Sequence, residues 1–302
     1  MKPARQPVDG VLLLNKPVGI TSNAALQKAK WLLNAKKAGH TGTLDPFADG
    51  LLPLCFGEAT KFSAYLLDAD KAYRAVLKLG VTTSTGDPEG DVLATREVTV
   101  DCDAIRALLP RFTGEIEQVP PMHSALKHQG RPLYEYARAG IEIERPPRRV
   151  HIRSLALLEC APPLVVLDVR CSAGTYVRTL AQDLGEALGC GAHLTALTRT
   201  GAGGFGLDDA CTLDELEGLG LDERRARLSS PDRLVAHLPA VELDAASTAA
   251  LCQGRVVAHG GTACGLIRAY GPLSRFLGLV EAADGQLAPR RLIATQQPLA
   301  ET

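Results

Sequence analysis

Residues 39–53 read Gly-His-Thr-Gly-Thr-Leu-Asp-Pro-Phe-Ala-Asp-Gly-Leu-Leu-Pro, and they are the most informative stretch of the chain. They place one carboxylate, Asp45, at a stiff turn between a glycine-flanked histidine, His40, and an apolar run. An isolated Asp-Pro pair usually only starts a turn, because Asp accepts hydrogen bonds from nearby backbone and Pro fixes φ. The rest of the chain decides whether this carboxylate has a further role.

The composition is that of an ordinary globular protein, with 302 residues, 46% hydrophobic and 22% charged. Its longest apolar runs, such as 11–14 and 164–167, are far too short to span a bilayer. No long apolar stretch follows the N-terminus, so a signal peptide is not expected. The protein is therefore expected to be cytoplasmic. Because no Cys-x-x-Cys pair occurs among the eight cysteines, neither a zinc site nor a disulfide framework is expected. Most of the cysteines are expected to be small buried residues.

The net charge is near zero, but the charges are unevenly distributed. Residues 11–40 contain five lysines and no acid, 124–150 contain six Lys or Arg against three Glu, and 208–223 contain seven acids and no base. One interpretation is a basic face that attracts a polyanion, with an acidic back. The alternative is that these runs are simply solvated helix faces.

The order of the elements favours an α+β fold. Strands are expected at 11–14, 75–79, 153–158 and 164–171, and helices from Thr21 or Ser22 to about 34 and from about Thr175 onward. These elements do not alternate as regular βαβ units, and neither a dinucleotide-binding glycine motif nor a phosphate-binding loop is present. A boundary is expected near 230–240, followed by a small β-rich module.

Several side chains could contribute chemistry if the fold brought them together. A buried Asp45 would need a cationic partner, and Arg178 is the chosen candidate because it follows a strand at the start of a helix. Tyr73 is expected immediately before a strand, and Tyr176 before a helix. Each could stack on a base, as could His40, although each could equally be a packing or surface residue.

These pieces occur together in one known family. The chain resembles the TruB family of bacterial tRNA pseudouridine-55 synthases through five motifs: Leu14-Asn15-Lys16-Pro17-x-Gly19-x-Thr21-Ser22, residues 39–53, Gly57-Glu58-Ala59-Thr60-Lys61, Asp70-Lys71-x-Tyr73 and Gly174-Thr175-Tyr176-Val177-Arg178. The motifs occur in the family's order from about 11 to 200, and the resemblance weakens beyond that point.

The resemblance implies a fold, an activity and a set of site residues. The fold would be the α+β pseudouridine synthase fold, a mixed and largely antiparallel sheet flanked by helices, over 8–235. An inserted RNA-gripping segment would lie at about 124–150, and a PUA-like RNA-binding module at 238–302. The implied activity is isomerisation of the uridine at position 55 in the tRNA T loop. The implied catalytic residues are the carboxylate Asp45, Arg178 paired with it, and Tyr73, which stacks on the base and can take the C5 proton. The implied substrate-binding residues are His40, which replaces flipped nucleotides, Tyr176 and Leu197, which line the uridine pocket, and Lys16, which buttresses the site.

The reaction is an isomerisation, so the resemblance implies no metal, cofactor or nucleotide cofactor, no membrane partner, and a monomer that binds the tRNA T stem-loop. Two other hypotheses remain open. One is a tRNA-binding folding helper, whose catalysis is dispensable or lost. The other is a guide-RNA-dependent synthase subunit, against which the inserted segment and the compact length count.

Overall fold

The computed structural model describes residues 4–262 and 264–294, which form eighteen strands and eight α-helices. The strands are β1 Gly10–Lys16, β2 Ala38–His40, β3 Asp49–Phe56, β4 Lys71–Leu79, β5 Val81–Thr83, β6 Val92–Thr95, β7 Gly114–Gln118, β8 Lys127–His128, β9 Arg131–Pro132, β10 Arg148–Ala161, β11 Leu164–Cys171, β12 Ala192–Ala202, β13 Phe205–Gly206, β14 Ala240–Glu242, β15 Val257–Ala258, β16 Gly265–Gly271, β17 Arg275–Ala283 and β18 Gln286–Leu292. The helices are α1 Ser22–Leu32, α2 Ser63–Leu67, α3 Cys102–Leu108, α4 Leu133–Arg138, α5 Val177–Ala187, α6 Leu213–Gly218, α7 Leu221–Ala226 and α8 Ala245–Cys252.

The main sheet has the order β1-β3-β12-β4-β11-β10-β7, with β2 added beside β3 and β13 beside β12. Its described pairings are antiparallel except for β3 with β12, which run parallel. The α+β prediction is therefore confirmed. The parallel contact pairs Gly50 with Arg199 at the point where β3 leaves the Asp45 loop.

Gly50 is required for this close approach of the two backbones. Its φ is +97°, and a Cβ added there would lie 2.4 Å from the carbonyl oxygen and 2.7 Å from the nitrogen of Arg199. Only glycine has neither a Cβ nor a steric penalty at such a φ. The glycine after the Asp45 loop therefore sets the distance between that loop and the centre of the sheet.

The helix predictions agree with the structure within the usual uncertainty at element ends. Thr21 caps α1, because its side chain accepts a hydrogen bond from the backbone N–H of Ala24 at 3.1 Å. In α5 the predicted apolar face is buried, and Leu180 and Leu184 belong to the same buried cluster as Leu77 and Leu167 of the sheet. Each such leucine stabilises the fold by about 1.5–3 kcal/mol. This packing fixes the N-terminus of α5 relative to β4.

The predicted strands at 11–14, 75–79, 153–158 and 164–171 lie within or coincide with β1, β4, β10 and β11. One local prediction was wrong. Tyr73 does not precede a strand but lies inside β4, where it pairs with Arg199 of β12 and Val169 of β11. The polar residues Asp70 and Lys71 suggested a later start, yet Lys71 itself is buried at the start of the strand.

The β-rich module expected after the 230–240 boundary is a five-stranded sheet of order β14-β16-β17-β18-β15 with its own apolar core. It also packs on the main body, because Phe276 and Leu279 share a buried cluster with Phe62. Lys61 Nζ donates to the carbonyl of Leu292 at 2.9 Å across the same junction. Residues 295–302 of the predicted module lie outside the described residues.

The cysteine predictions need correction. Cys102 and Cys160 form a disulfide between the start of α3 and the end of β10, although no disulfide was expected. Four others, at 55, 171, 190 and 211, are free and buried, but Cys252 and Cys264 are free and exposed, so half of the cysteines are buried and not most of them. One residue of the acidic run, Glu217, pairs with Lys28 of the lysine-rich α1 at 2.7 Å, and both side chains are exposed. Among the described residues, no helix is both long and apolar enough to cross a membrane.

Candidate active site

The Asp45 loop joins β2 to β3 and is held by hydrogen bonds along its length. Ser22 Oγ donates to the carbonyl of Leu44 at 3.0 Å and accepts from its N–H at 2.8 Å. The carbonyl of Pro46 accepts from the N–H of Gly19 at 2.7 Å. With both neighbours of Asp45 fixed in this way, the carboxylate has a defined position, and 35% of its side chain remains exposed.

Arg178, in the first turn of α5, forms the predicted ion pair with Asp45. Its Nε lies 3.0 Å from Asp45 Oδ2, and 5% of its side chain is exposed. Its Nη1 donates to the carbonyl of Thr85 at 3.0 Å, and its Nη2 donates to that of His123 at 2.7 Å. The guanidinium is therefore anchored on three sides and can orient the carboxylate without moving itself.

A second carboxylate, Asp87, completes this arrangement and was missed in the sequence. Its Oδ2 lies 3.3 Å from Arg178 Nη1, and 4% of its side chain is exposed. Its Oδ1 accepts from Thr85 Oγ1 at 2.5 Å and from the N–H of Glu89 at 3.0 Å. Asp87 precedes a proline, as Asp45 does, and this second Asp-Pro pair was the available signal.

The surroundings of Asp45 favour its neutral form more than water does. Burial raises the pKa of Asp45 above its ordinary value of 3.8, and the nearby Asp87 charge raises it further. The Arg178 guanidinium acts in the opposite direction. A carboxylate held beside a cation yet incompletely stabilised is suited to act as a base or nucleophile.

Two cavities meet at Asp45 and Arg178. The first, called here the tyrosine cavity, has a volume of 280 Å³, and the second, the histidine cavity, has a volume of 460 Å³. Both are lined by Thr43, Leu44, Asp45, Ser124, Ala125 and Arg178. The carboxylate is thus accessible from two sides.

The tyrosine cavity collects most of the predicted site residues. Tyr73, Tyr176 and Leu197 line it together with Asp45 and Arg178. Burial raises the pKa of the Tyr73 phenol, so this side chain is neutral at physiological pH. The cavity therefore offers aromatic and aliphatic walls for a planar ring beside one carboxylate.

The histidine cavity contains the remaining predicted loop residue, His40, on the other side of Asp45. Its Nδ1 is buried and has no hydrogen-bond partner among residues 4–262 and 264–294. Burial lowers the pKa of His40, with the Arg199 charge acting in the same direction, so the neutral imidazole is favoured. A neutral ring with a free nitrogen can stack against a base or bond with it.

The predicted insertion is a compact excursion from the sheet. It occupies 119–147, between the antiparallel neighbours β7 and β10, and contains the β8–β9 hairpin and α4. Tyr134 and Arg138 of α4 line the histidine cavity, and Ser124 lines both cavities. The insertion thus covers the site at which Asp45 is exposed.

Lys16 lies outside the residues that line the two cavities. Its side chain is fully buried, and its Nζ donates to the carbonyls of Pro17 at 2.9 Å and Ile20 at 2.8 Å. Burial lowers its pKa to about 8. Lys16 therefore holds the backbone between β1 and α1, and the substrate-site role expected of it stays a prediction. Within the described ranges no group of three potential ligands is arranged to hold a metal ion.

The comparisons with known proteins agree along the chain. Residues 30–177 match the family described as TruB family pseudouridylate synthase (N terminal domain), 178–241 match the tRNA pseudouridylate synthase B C-terminal domain, and 239–293 match Pseudouridine synthase II TruB, C-terminal. A protein named tRNA pseudouridine synthase B from Thiobacillus denitrificans is 74% identical, over 98% of this chain and 100% of that one. One of the same name from Burkholderia mallei is 58% identical, over 97% of this chain and 99% of that one.

Solved structures show the same fold. An H/ACA RNP bound to a substrate RNA containing 2'-deoxyuridine matches with a TM-score of 0.70 and 26% identity, covering 95% of this chain and 86% of that one. A Cbf5-Nop10-Gar1 complex matches with a TM-score of 0.68 and 30% identity, covering 93% and 80%. The chain belongs to the TruB family of pseudouridylate synthases.

Proposed function

We propose that this chain isomerises the uridine at position 55 in the T loop of tRNA to pseudouridine, with Asp45 as the catalytic carboxylate. The observation that carries the proposal is the Asp45–Arg178 pair, 3.0 Å long, in the wall of a cavity that Tyr73, Tyr176 and Leu197 also line. The name shared by the Thiobacillus and Burkholderia relatives supports tRNA as the substrate.

In this proposal the flipped uridine occupies the tyrosine cavity. Asp45 attacks or deprotonates the target nucleotide, which allows the uracil to detach, rotate and rejoin through C5. Arg178 keeps the carboxylate oriented. Tyr73 stacks on the base, and after the new C–C bond forms its phenol oxygen takes the C5 proton as its own O–H proton passes to solvent in the cavity. Tyr176 and Leu197 hold the ring in the pocket.

The histidine cavity provides for the rest of the loop. His40 would occupy the space from which nucleotides flip, and Tyr134 and Arg138 of the insertion would contact the RNA from the opposite side. Unstacking a base costs a few kcal/mol, and stacking on an aromatic side chain returns about 1–3 kcal/mol. The aromatic residues of the two cavities can therefore offset the cost of flipping.

The proposal also assigns a role to each domain, an oligomeric state and a cellular location. In the proposal, residues 8–235 are the catalytic domain, and the described part of 238–302 is a PUA-like module that contacts the same tRNA. Because the base never leaves the pocket, the reaction needs neither metal nor cofactor. The chain is proposed to act as a cytoplasmic monomer.

Two other functions are weighed against this one. A guide-RNA-dependent role matches the complexes named for the structural neighbours. The sequence identity is much higher, however, to proteins named tRNA pseudouridine synthase B. A purely tRNA-binding helper would not need a buried arginine anchored at both a carboxylate and two carbonyls.

Tritium release from C5-labelled uridine in a T stem-loop transcript distinguishes the three. We expect stoichiometric release by the chain alone, and none from position 55 when that position carries cytidine. Release that requires an added guide RNA would favour the second function. Binding without release from any tRNA would favour the third.

A further inference from the structure

The tyrosine cavity is lined by two buried cationic side chains that have no role in the chemistry proposed above. Lys71 and Arg199 both line this cavity, and they are 8% and 1% exposed. Neither forms an ion pair with a carboxylate in the part of the chain that the structure describes. A buried cation without a counter-ion is costly, so it is retained only where something compensates for it.

Arg199 is held rigidly at this position by the main chain. Its Nε donates to the carbonyl of Leu51 at 2.6 Å, and its Nη2 donates to that of Gly42 at 3.3 Å. These bonds join β12 to β3 and to the Asp45 loop. Within the described ranges, Nη1 is the one guanidinium nitrogen without a backbone carbonyl partner.

Arg199 is also the direct cross-strand neighbour of Tyr73. Both side chains line the tyrosine cavity, and the Arg199 guanidinium opposes the rise that burial causes in the pKa of the Tyr73 phenol. Lys71 is the second cation at this end of β4, and its Nζ donates to three backbone carbonyls, those of Leu66 at 3.2 Å, Ala69 at 2.5 Å and Leu67. Lys71 therefore acts through its charge and not through a hydrogen bond to a substrate. Both charges are therefore fixed before a substrate arrives.

The reaction creates a matching negative charge. When the N1–C1′ bond breaks, its electron pair remains on the uracil, which becomes an anion with charge shared by N1, O2 and O4. The electron-poor C1′ is balanced by a bond to the Asp45 carboxylate or by transfer of the C2′ proton to it, and that bond or proton transfer is reversed when C5 bonds to C1′. Formation of the C5–C1′ bond removes the charge from the uracil, and the later loss of the C5 proton and gain of a proton at N1 leave the net charge unchanged. A fixed cation in a cavity with little water stabilises such a transient charge without reorganisation.

We propose that Arg199, assisted by Lys71, stabilises the uracil anion during its detachment and rotation. This inference rests on the proposed function. It assigns to the floor of the cavity a part in bond cleavage that is separate from the Asp45–Arg178 pair. It also explains why two cations are buried where a neutral base must bind.

The test compares single-turnover rates of Arg199→Met and Arg199→Lys on the T stem-loop transcript. We expect Arg199→Met to lose about 100-fold in rate, the range seen when one charge-stabilising donor is removed. Arg199→Lys keeps the charge and should recover to within about tenfold of wild type. The matched control is Arg74→Met. Arg74 is next to Tyr73 in β4, and its side chain, which is 50% exposed, pairs with Glu159. The Arg74→Met variant should react at the wild-type rate.

A second substrate separates charge from structure. RNA with 5-fluorouridine at the target releases a more stable anion, because fluorine withdraws electrons. The rate at which 5-fluorouridine disappears from the RNA is measured by chromatography of the nucleosides. Arg199→Met should slow this rate by a smaller factor than it slows the reaction of uridine. A purely structural arginine would give equal penalties on both substrates, and unfolding midpoints and RNA affinity identify variants that are simply misfolded.

The outcomes are distinct. If wild type makes no pseudouridine, the proposed function fails, and this inference fails with it. If wild type is active but Arg199→Met matches it, only the inference is wrong. Equal losses in the Met and Lys variants, or equal penalties on both substrates, would also overturn it.

Discussion

Replacing Gly50 by alanine should destabilise the fold at the junction between the Asp45 loop and the sheet. The new Cβ would lie 2.4 Å from the carbonyl oxygen of Arg199 and 2.7 Å from its nitrogen. Both are backbone atoms, so no side-chain rotation relieves the contact. The positive φ costs about 1–2 kcal/mol for a residue with a Cβ, and overpacking adds typically ~1–3 kcal/mol. We expect a loss of roughly 2–5 kcal/mol in the free energy of unfolding.

Gly189→Ala is the matched control, because Gly189 has a φ of +82° with open space around its Cβ position. It should show the backbone penalty alone, about 1–2 kcal/mol. Unfolding in urea, with linear extrapolation to water, measures both losses. Gly50→Ala should also slow turnover, because the strand shift reaches the Asp45 loop. Equal losses for the two variants would refute the close strand contact.

Three further predictions concern charge and cross-linking. Asp87→Asn removes a charge that raises the pKa of Asp45. The acid limb of the pH profile of the single-turnover rate, which lies above pH 3.8 in wild type, should therefore move to lower pH. An acid limb at the same pH in both proteins would contradict the coupling of the two carboxylates. Lys16 has a pKa of about 8 when folded and 10.5 when unfolded, so the unfolded state binds more protons between these values and the free energy of unfolding should rise with pH across that window. Lys16→Met should lack this rise in denaturation curves, and an identical pH dependence would exclude the assignment. Cys160→Ser opens a loop of 58 residues closed by Cys102, and it should lower the free energy of unfolding by up to about 4 kcal/mol; unchanged stability under reducing and non-reducing conditions would argue against the cross-link.

The sequence predicted the parts of the site that local patterns carry. Thr21 capped the helix expected of it, the apolar face of α5 was buried, and Arg178 reached Asp45. These follow from periodicity, capping chemistry and the family's motifs. Each involves residue types whose local preference agrees with the final fold.

The remainder depends on contacts between segments far apart in sequence. Asp87 lies in a Gly- and Pro-containing turn, and only the fold shows that the turn meets α5. The partners Cys102 and Cys160 are 58 residues apart, and no spacing rule joins them. The burial of Lys71 and Arg199 likewise follows from strand pairing, because β4 and β12 become neighbours only in the sheet.

The role of Asp45 is tested most directly by Asp45→Asn, with pseudouridine formation and tRNA affinity measured on the same preparation. Asp68→Asn, an exposed position after α2, is the control. We predict that Asp45→Asn forms no pseudouridine while binding tRNA within roughly tenfold of wild type, since phosphate contacts dominate affinity. Pseudouridine formation by this variant at the wild-type rate would contradict the assignment of Asp45 as the catalytic carboxylate.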